Sequence, residues 1–309
     1  MTIAYLFPGQ GSQAVGMGRD LYDRSPQARA LFDKADEALG FPISKLCFEG
    51  PEDELRLTRN TQPALLVVST AACRLLGHDP DVAAGHSLGE YSALVAAGAL
   101  RFEDAVVLVH KRGRYMQEAV PVGAGGMAAL LGVPGEEIAR RLGEVRSGVV
   151  EIANWNSEDQ TVISGEKAAV EEALALIKAP RSVLLPVSAP FHSRLMQPAA
   201  DRLAADLEAA AFADPRFPVI TNVDARPIRT AGEARDALKR QVSHSVLWTK
   251  SMARLQEMGV EACVECGPGK VLAGLLKRTA RGWPKPPAIH NAEDWESVEK
   301  ARAALFGLL

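Results

Sequence analysis

Residues 82–97 read Val-Ala-Ala-Gly-His-Ser-Leu-Gly-Glu-Tyr-Ser-Ala-Leu-Val-Ala-Ala: an apolar run, a Gly-x-Ser-x-Gly pentapeptide and a helical pattern in succession. A serine between two glycines at a strand-to-helix turn is typical of a nucleophile elbow. The glycines permit a turn tight enough to expose Ser87, and the new helix directs backbone N–H groups towards it. We therefore expect Ser87 to be a nucleophile in an α/β fold.

The surrounding chain extends this pattern in both directions. Its first part alternates strands with helices, which favours a largely parallel sheet. The predicted elements are a strand at 3–7, a glycine-rich loop at 8–13, a helix at 18–39, a buried helical stretch at 65–76, a strand at 82–84 and helices at 88–97 and 103–120. The pattern resumes later with helices at 200–211, 233–240, 247–258 and 271–278 and strands at 219–223 and 261–265.

A second unit is predicted between these two parts, after the glycine-rich hinge at 121–126. Its elements are strand 127–133, helix 136–145, strand 149–153, strand 160–164, helix 167–178 and strand 182–187. This β-α-β-β-α-β order is that of a ferredoxin-like domain. We therefore expect a small domain at 124–192, inserted into a large domain formed by 1–123 and 193–309, with the substrate in the cleft between them.

Composition excludes several classes of function. The 309 residues are 47% hydrophobic and 24% charged, as in soluble globular proteins. With 38 acidic and 35 basic residues the net charge is −3, which argues against broad attraction to nucleic acid or an anionic membrane. The amino terminus lacks the pattern of a signal peptide, so we expect a cytoplasmic protein.

Cys263 and Cys266 are three apart on a predicted strand and face opposite sides, which favours core packing over metal or redox chemistry.

A serine nucleophile needs a base, and His192 is the best placed of the six histidines. It follows the last strand of the small domain in Val187-Ser188-Ala189-Pro190-Phe191-His192-Ser193, where the chain re-enters the cleft. The other histidines, at positions 78, 86, 110, 244 and 290, have settings typical of structural residues. We expect His192 to activate Ser87.

Two glycine-rich loops could bind nucleotides instead. Gly9 and Gly11 fit part of a dinucleotide fingerprint, but a helical pattern occupies the place where a second strand and its acidic residue should follow. We expect this loop to supply a backbone N–H to an oxyanion hole. The segment 267–270, Gly-Pro-Gly-Lys, lacks the spacing of a phosphate-binding loop and is interpreted as a strand-to-helix turn.

Arg112 belongs to a cationic run, Lys111-Arg112-Gly113-Arg114, in a predicted helix. Such runs usually face solvent. If Arg112 turns inward, its planar guanidinium can bind a substrate carboxylate through two hydrogen bonds.

Six motifs in order along the chain resemble those of the malonyl-CoA:acyl carrier protein transacylases of bacterial fatty-acid synthesis. They are Phe7-Pro-Gly-Gln-Gly-Ser-Gln13, Thr61-Gln-Pro-Ala64, Gly85-His-Ser-Leu-Gly-Glu90, Arg112-Gly113, Pro190-Phe-His192 and Glu265-Cys-Gly-Pro-Gly269. The resemblance spans nearly the whole chain. It implies an α/β-hydrolase-like large domain with a ferredoxin-like insertion, and transfer of malonyl from malonyl-CoA to the phosphopantetheine thiol of acyl carrier protein.

The resemblance also implies a role for each matching residue. Ser87 corresponds to the nucleophile and His192 to the general base and acid, while the N–H groups of Gln10 and Leu88 correspond to the oxyanion hole. The remaining matches are Arg112 for the malonyl carboxylate, Phe191 for malonyl selection, Asn156 near the active site and the Gln241 carbonyl for orienting the histidine. The family often has Tyr-Asn-Pro-Val after that glutamine, whereas this chain has Val242-Ser-His-Ser-Val246, so the path of this loop and the role of His244 stay open.

Three alternatives stay open beside this interpretation. A serine hydrolase would combine Ser87 with Asp224 and His290 in the chain order of an esterase triad. A non-catalytic module would only bind a carrier protein, and a free-standing polyketide acyltransferase would share the malonyl chemistry. The resemblance implies acyl carrier protein and malonyl-CoA or coenzyme A as partners, with no metal and no cofactor. From the net charge and the lack of a long apolar run we expect no nucleic-acid and no membrane partner, and we expect a monomer.

Overall fold

The computed structural model describes residues 1–187 and 189–307. Ser188, Leu308 and Leu309 fall within the predicted domain ranges 124–192 and 193–309 but lie outside the described residues. The strands are β1 Ile3–Phe7, β2 Val82–Gly85, β3 Gly125–Leu131, β4 Val150–Ser157, β5 Gln160–Glu166, β6 Arg181–Leu184, β7 Val219–Ile220, β8 Pro227–Ile228, β9 Ala262–Cys266 and β10 Ala288–Ala292.

Helices make up most of the remaining structure. They are α1 Arg19–Arg24, α2 Pro26–Leu39, α3 Ile43–Glu49, α4 Glu52–Arg56, α5 Thr58–Leu76, α6 Gly89–Ala96, α7 Phe102–Glu118, α8 Gly135–Leu142, α9 Lys167–Ile177, α10 Gln197–Ala209, α11 Ala231–Gln241, α12 Trp248–Glu257, α13 Val271–Thr279 and α14 Trp295–Phe306. In the part of the chain that the structure describes, no helix is both long and apolar enough to cross a membrane. The cytoplasmic location stays a prediction.

The larger sheet has the strand order β10-β9-β1-β2-β7-β8, in which only β8 runs antiparallel to its neighbour. Alternate residues of β1 enter different cores: Ala4 and Leu6 pack with α12 and α13, and Tyr5 and Phe7 with α2, α5 and α7. Helices therefore cover both faces, as a buried parallel sheet requires. The carboxyl ends of β1, β2 and β9 meet at one edge, where the site lies.

The two cysteines of the Cys-x-x-Cys motif confirm this two-sided packing. Cys263 belongs to the core beneath α12 and α13, and Cys266 to the core on the opposite face. All four cysteines of the chain are buried and free. The motif therefore contributes packing to both cores, as the strand periodicity predicts.

The smaller sheet is antiparallel, with the order β4-β5-β3-β6, and packs against α8 and α9. Its element order is the predicted β-α-β-β-α-β arrangement, so the expected fold class is confirmed. Strand β4 also joins the large unit, because Trp155 N–H donates to the Val246 carbonyl (2.9 Å) and Val246 N–H to the Ala153 carbonyl (2.8 Å).

Three predicted elements are wrong in extent. The helix expected at 18–39 is two helices, because Ser25 precedes a proline and is extended (φ −125°, ψ 117°), from which its side chain caps α2. The strand expected at 219–223 ends at Ile220, and the strand expected at 182–187 ends at Leu184. Beyond β6, the Leu185 N–H still donates to the Met127 carbonyl (3.0 Å), and Leu185 and Val187 line the cleft. Beyond β7, Asn222 contacts the backbone of Ser87.

Gly89→Ala is expected to lower the free energy of unfolding by ~3 kcal/mol or more, because a Cβ there would overlap the Phe7 carbonyl oxygen at the β1–α6 contact. Gly274→Ala in α13 is the matched control, since its Cβ would meet nothing within 4 Å. It should raise the free energy of unfolding by about 0.5–1 kcal/mol. Urea denaturation of both variants measures the difference; equal effects would contradict the steric argument.

Candidate active site

Ser87 lies at the tip of the β2–α6 turn, in the left-handed region with φ 52°. This conformation costs energy for a residue with a Cβ, and neighbouring contacts maintain it. A Cβ on Gly85 would overlap the backbone of Gly89, so the turn can be this tight only with glycine. The Ser87 N–H donates to Asn222 Oδ1 (2.6 Å), which anchors the turn to the segment after β7. The side chain is thereby directed out of the turn.

His192 completes a hydrogen-bonded pair with the serine. Its Nε2 lies 2.7 Å from Ser87 Oγ, across 105 residues of sequence. Its Nδ1 faces two backbone carbonyls, those of Gln241 (2.9 Å) and His244 (3.2 Å). Because carbonyls only accept, Nδ1 carries the ring hydrogen and Nε2 is left to accept the serine proton. This is the protonation state that a general base requires.

Burial, with a smaller contribution from the adjacent Arg112 charge, lowers the pKa of His192 to about 3. Both causes disfavour a second proton on the ring. At neutral pH the imidazole is therefore neutral and able to accept. A negative charge forming on a bound substrate would offset the Arg112 repulsion and favour the imidazolium as the reaction proceeds.

Arg112 turns inward from α7 and is only 1% exposed. Its Nη1 donates to Gln62 Oε1 (2.8 Å), and its Nη2 to Gln241 Oε1 (2.9 Å) and Ser87 Oγ (3.1 Å). Its guanidinium also lies 5.5 Å from the centre of the Tyr91 ring. Within residues 1–187 and 189–307 it has no ion-pair partner, so a buried cation beside the serine is held only by neutral groups.

Gln10 and Leu88 line the pocket around Ser87. Gln10 follows β1, and Leu88 is the residue that precedes α6. In the described residues, the backbone N–H of neither donates to another backbone group outside the regular elements. Both N–H groups are therefore available to a ligand oxygen in this pocket.

The pocket itself is small, about 110 Å³, and lies between the large and small sheets. Its lining comprises Gln10, Gln62, His86, Ser87, Leu88, Arg112, Met116, Met127, Asn154, Leu185, Val187, Phe191 and His192. Six of these side chains are apolar, whereas His192 and Arg112 both bond Ser87 Oγ. Such a site suits a short acyl group with one polar end.

Asn156 lies behind this pocket rather than in it. Its Oδ1 accepts from His86 Nε2 (2.8 Å), and its neighbour Asn154, which the sequence did not single out, lines the pocket instead. Both asparagines line the larger cavity that adjoins this pocket, as alternate residues on one face of β4 do. Asn156 therefore supports the residue that precedes Ser87.

Three further site residues escaped the sequence reasoning: Gln62, Asn222 and the side chain of Gln241. Gln62 belongs to the motif Thr61-Gln-Pro-Ala64, but it is one of several buried polar residues of α5, so its burial does not single it out. Asn222 stands just beyond β7, where no motif marks it. The Gln241 side chain is fully buried, and its contacts are long-range.

The segment 242–246, where the chain departs from the family pattern, keeps the histidine oriented. The His244 carbonyl is a second acceptor for His192 Nδ1, and the His244 side chain bonds the Arg240 carbonyl (2.8 Å). Val246 pairs with β4 through its backbone. The loop thus contributes through its backbone groups. A loop with other side chains could supply the same groups.

The alternative triad is not assembled. Asp224 forms an ion pair with Arg240 (2.7 Å), and His290 lies on the edge strand β10 beside a separate cavity. Neither belongs to the pocket that contains Ser87. The described residues also contain no group of three His, Cys, Asp or Glu side chains placed to hold a metal ion.

A parallel-sheet fold with a buried serine–histidine pair at its carboxyl edge is the arrangement of a serine-dependent acyl-transfer enzyme. In agreement, the chain matches the acyl transferase domain family over residues 4–304. The malonyl CoA-acyl carrier protein transacylase of Escherichia coli K12 is 50% identical over 303 residues, 94% of this chain and 98% of that protein.

Two solved structures superimpose closely, each with a TM-score of 0.95 and 43% identity. The malonyl CoA-acyl carrier protein transacylase of Coxiella burnetii covers 99% of this chain and 98% of its own. A malonyl-transacylase in complex with a type II polyketide acyl-carrier protein covers 98% of this chain and 100% of its own. The chain belongs to the family of malonyl CoA-acyl carrier protein transacylases.

Proposed function

We propose that this protein transfers the malonyl group of malonyl-CoA to the phosphopantetheine thiol of acyl carrier protein, through a malonyl ester of Ser87. One observation carries the proposal: the buried Arg112 guanidinium lies 3.1 Å from the serine oxygen, with no carboxylate partner among the described residues. A buried, unpaired cation is costly. An acyl group with a free carboxylate would relieve that cost at the position where it must react.

The first half-reaction acylates the serine. His192 Nε2 takes the Ser87 hydroxyl proton as Oγ attacks the thioester carbonyl, forming a tetrahedral oxyanion. The Gln10 and Leu88 N–H groups stabilise that oxyanion, an effect of ~3–4 kcal/mol per donor in comparable sites. The intermediate collapses as the carbon–sulfur bond breaks, and the coenzyme A sulfur receives the proton from His192.

The second half-reaction reverses these roles. The carrier thiol gives its proton to His192 and its sulfur attacks the malonyl ester. The Ser87 oxygen then leaves and recovers the proton. Coenzyme A leaves before the carrier protein reacts with the malonyl ester of Ser87. The reaction should therefore show ping-pong kinetics. We propose no cofactor for either step, and a single chain as the working unit, because one chain supplies every pocket residue named above.

A second cavity of about 440 Å³ adjoins the first and shares Gln10, His86, Asn154 and Leu185 with it. It continues past the amino-terminal part of α13. The acyl donor, malonyl-CoA, and the acyl acceptor, acyl carrier protein, carry the same long, flexible pantetheine arm. We propose that this cavity accepts the arm while the smaller pocket accepts the acyl group.

The direct test is competition between malonyl-CoA and acetyl-CoA at equal concentration, followed by mass measurement of the Ser87 peptide. We expect a malonyl ester on Ser87 in large excess over an acetyl ester, and its loss when acyl carrier protein is added. A stoichiometric acyl adduct on another residue, or equal labelling by the two donors, would contradict the proposal. Absence of any adduct would support the non-catalytic module.

Fatty-acid synthesis is the pathway we propose for the product, and a polyketide role is the second candidate. The polyketide role is supported by the similarity of this chain, with a TM-score of 0.95, to a malonyl-transacylase solved in complex with a polyketide acyl-carrier protein. Both roles use the same chemistry at Ser87. The two are separated by comparing kcat/KM for a fatty-acid carrier and a polyketide carrier from the same source organism.

A further inference from the structure

Glu90 is a buried carboxyl group behind the site, to which neither the fold nor the proposed mechanism assigns a task. It lies in the first turn of α6, three residues after Ser87, and is 1% exposed. Its Oε2 accepts from the Asn222 N–H (2.9 Å) and from Gln241 Nε2 (2.8 Å), whereas Oε1 has no hydrogen-bond partner among the described residues. A carboxyl group buried at such cost calls for a reason.

The side-chain amide of Gln241 links Glu90 to Ser87 and Arg112 through hydrogen bonds. Its Nε2 donates to the Ser87 carbonyl (2.9 Å) as well as to Glu90, and its Oε1 accepts from Arg112 Nη2 (2.9 Å). If the amide were reversed, its NH₂ would face the guanidinium and its oxygen would face two other oxygens. Glu90 and the Ser87 carbonyl therefore determine which end of Gln241 faces Arg112.

This assignment holds whether or not the carboxyl is ionised. Burial raises the pKa of Glu90 to about 7, against the opposing effect of its hydrogen bonds from Asn222 and Gln241. Both donors converge on Oε2, so a proton on the neutral acid resides on Oε1. Oε2 remains an acceptor in either form.

We propose that Glu90 is a positioning residue for the acyl group: its Oε2 fixes the orientation of the Gln241 amide, which holds Arg112 Nη2 beside Ser87 Oγ. This inference rests on the proposed function, in which Arg112 binds the malonyl carboxylate. The arrangement also explains why an amide stands between the two charges. Gln241 holds the arginine in place without neutralising it, whereas a carboxylate in direct contact would compete with the substrate.

Two substitutions of Glu90 distinguish the effect of its hydrogen-bond acceptor from the effect of its side-chain volume. Glu90→Gln keeps an oxygen where Oε2 lies, and Glu90→Met has similar size without an acceptor. We expect Glu90→Gln to retain kcat/KM for malonyl-CoA within ~3-fold, and Glu90→Met to lose ~10–100-fold, as removal of one partner from a buried hydrogen bond predicts. Transfer from acetyl-CoA, which has no carboxylate for Arg112, should change much less in both variants.

The malonyl-to-acetyl ratio of kcat/KM is the readout that a merely structural role would not move. A folded Glu90→Met protein with the native ratio would overturn the proposal, as would equal losses in the two variants. If Glu90→Met does not fold, Glu90→Leu replaces it, since it also lacks the acceptor: this variant must lose the ratio while Glu90→Gln keeps it. A native ratio in Glu90→Leu would overturn the proposal.

The Arg112→Ala variant, measured in the same experiment, distinguishes a failure of the role proposed for Arg112 from a failure of the role proposed for Glu90. If it keeps the native malonyl-to-acetyl ratio, the proposed role of Arg112 fails. If it loses the ratio while Glu90→Met keeps it, only the role of Glu90 fails.

Discussion

Replacing His192 with alanine is expected to lower kcat for malonyl transfer by ~10⁴-fold or more, the size of effect found when one member of a serine–base unit is removed. Without the imidazole, no group bonded to Ser87 Oγ can accept its proton, since Arg112 is already protonated. The other imidazole of the pocket, His86, is bonded to Asn156 Oδ1 through Nε2 instead. Stopped-flow measurement of coenzyme A release in the first turnover reports acylation of the serine directly. The variant should still fold, because the imidazole lines the pocket and its removal enlarges that pocket rather than leaving a void in the hydrophobic core.

His290→Ala is the matched control for this prediction. His290 is half-buried on β10 and lines a different cavity, so its removal should leave kcat within ~2-fold, the range of a surface substitution away from the site. Loss of activity in His290→Ala with activity retained in His192→Ala would establish the hydrolase-type triad and refute the dyad.

Arg112→Ala is expected to lower kcat/KM for malonyl-CoA by ~10²–10³-fold, because it removes a charge-assisted pair with the acyl carboxylate in a desolvated pocket. Acetyl-CoA makes no such pair, so its kcat/KM should fall by less than ~10-fold through the lost Nη2 contact to Ser87 Oγ. Donor selectivity should therefore fall by about one to three orders of magnitude.

Arg114→Ala supplies the control for Arg112→Ala, since Arg114 lies on the same helix but faces solvent beside Glu118. Its effect on either donor should be within ~2-fold. The measurement is kcat/KM for both thioesters with one carrier protein. An equal fall for malonyl and acetyl in Arg112→Ala would show that the arginine supports folding or the serine rather than the acyl carboxylate.

Much of the fold could be predicted from local patterns. Strand β1 has the predicted bounds, 3–7, because its apolar run ends at Pro8 and Gly9, and the β-α-β-β-α-β order of the small unit could be read from periodicity. Strand β10 and helix α14 were not predicted. The half-exposed β10 lacks a continuous apolar run, so only its pairing with β9 identifies it as a strand.

The active site likewise has features that local sequence predicts and features that depend on the tertiary structure. The turn at Ser87 could be predicted, because glycine sterics act over a few residues. The role of Asn154 could not, because its place in the pocket depends on how the small sheet lies against the large one. The position of Asn222 was also beyond reach, because its hydrogen bond to the Ser87 N–H joins segments 135 residues apart.

The sequence by itself determined the kind of chemistry: a strained serine between obligatory glycines, a histidine at the return from the small unit and an arginine in a cationic helix. The tertiary structure decided what those groups can do. Only folding buries Arg112 in direct contact with neutral groups alone among the described residues, lowers the pKa of His192 through burial and brings the Gln241 carbonyl to its Nδ1. Desolvation and long-range hydrogen bonds depend on what surrounds a group, whereas backbone sterics depend on its neighbours in the chain.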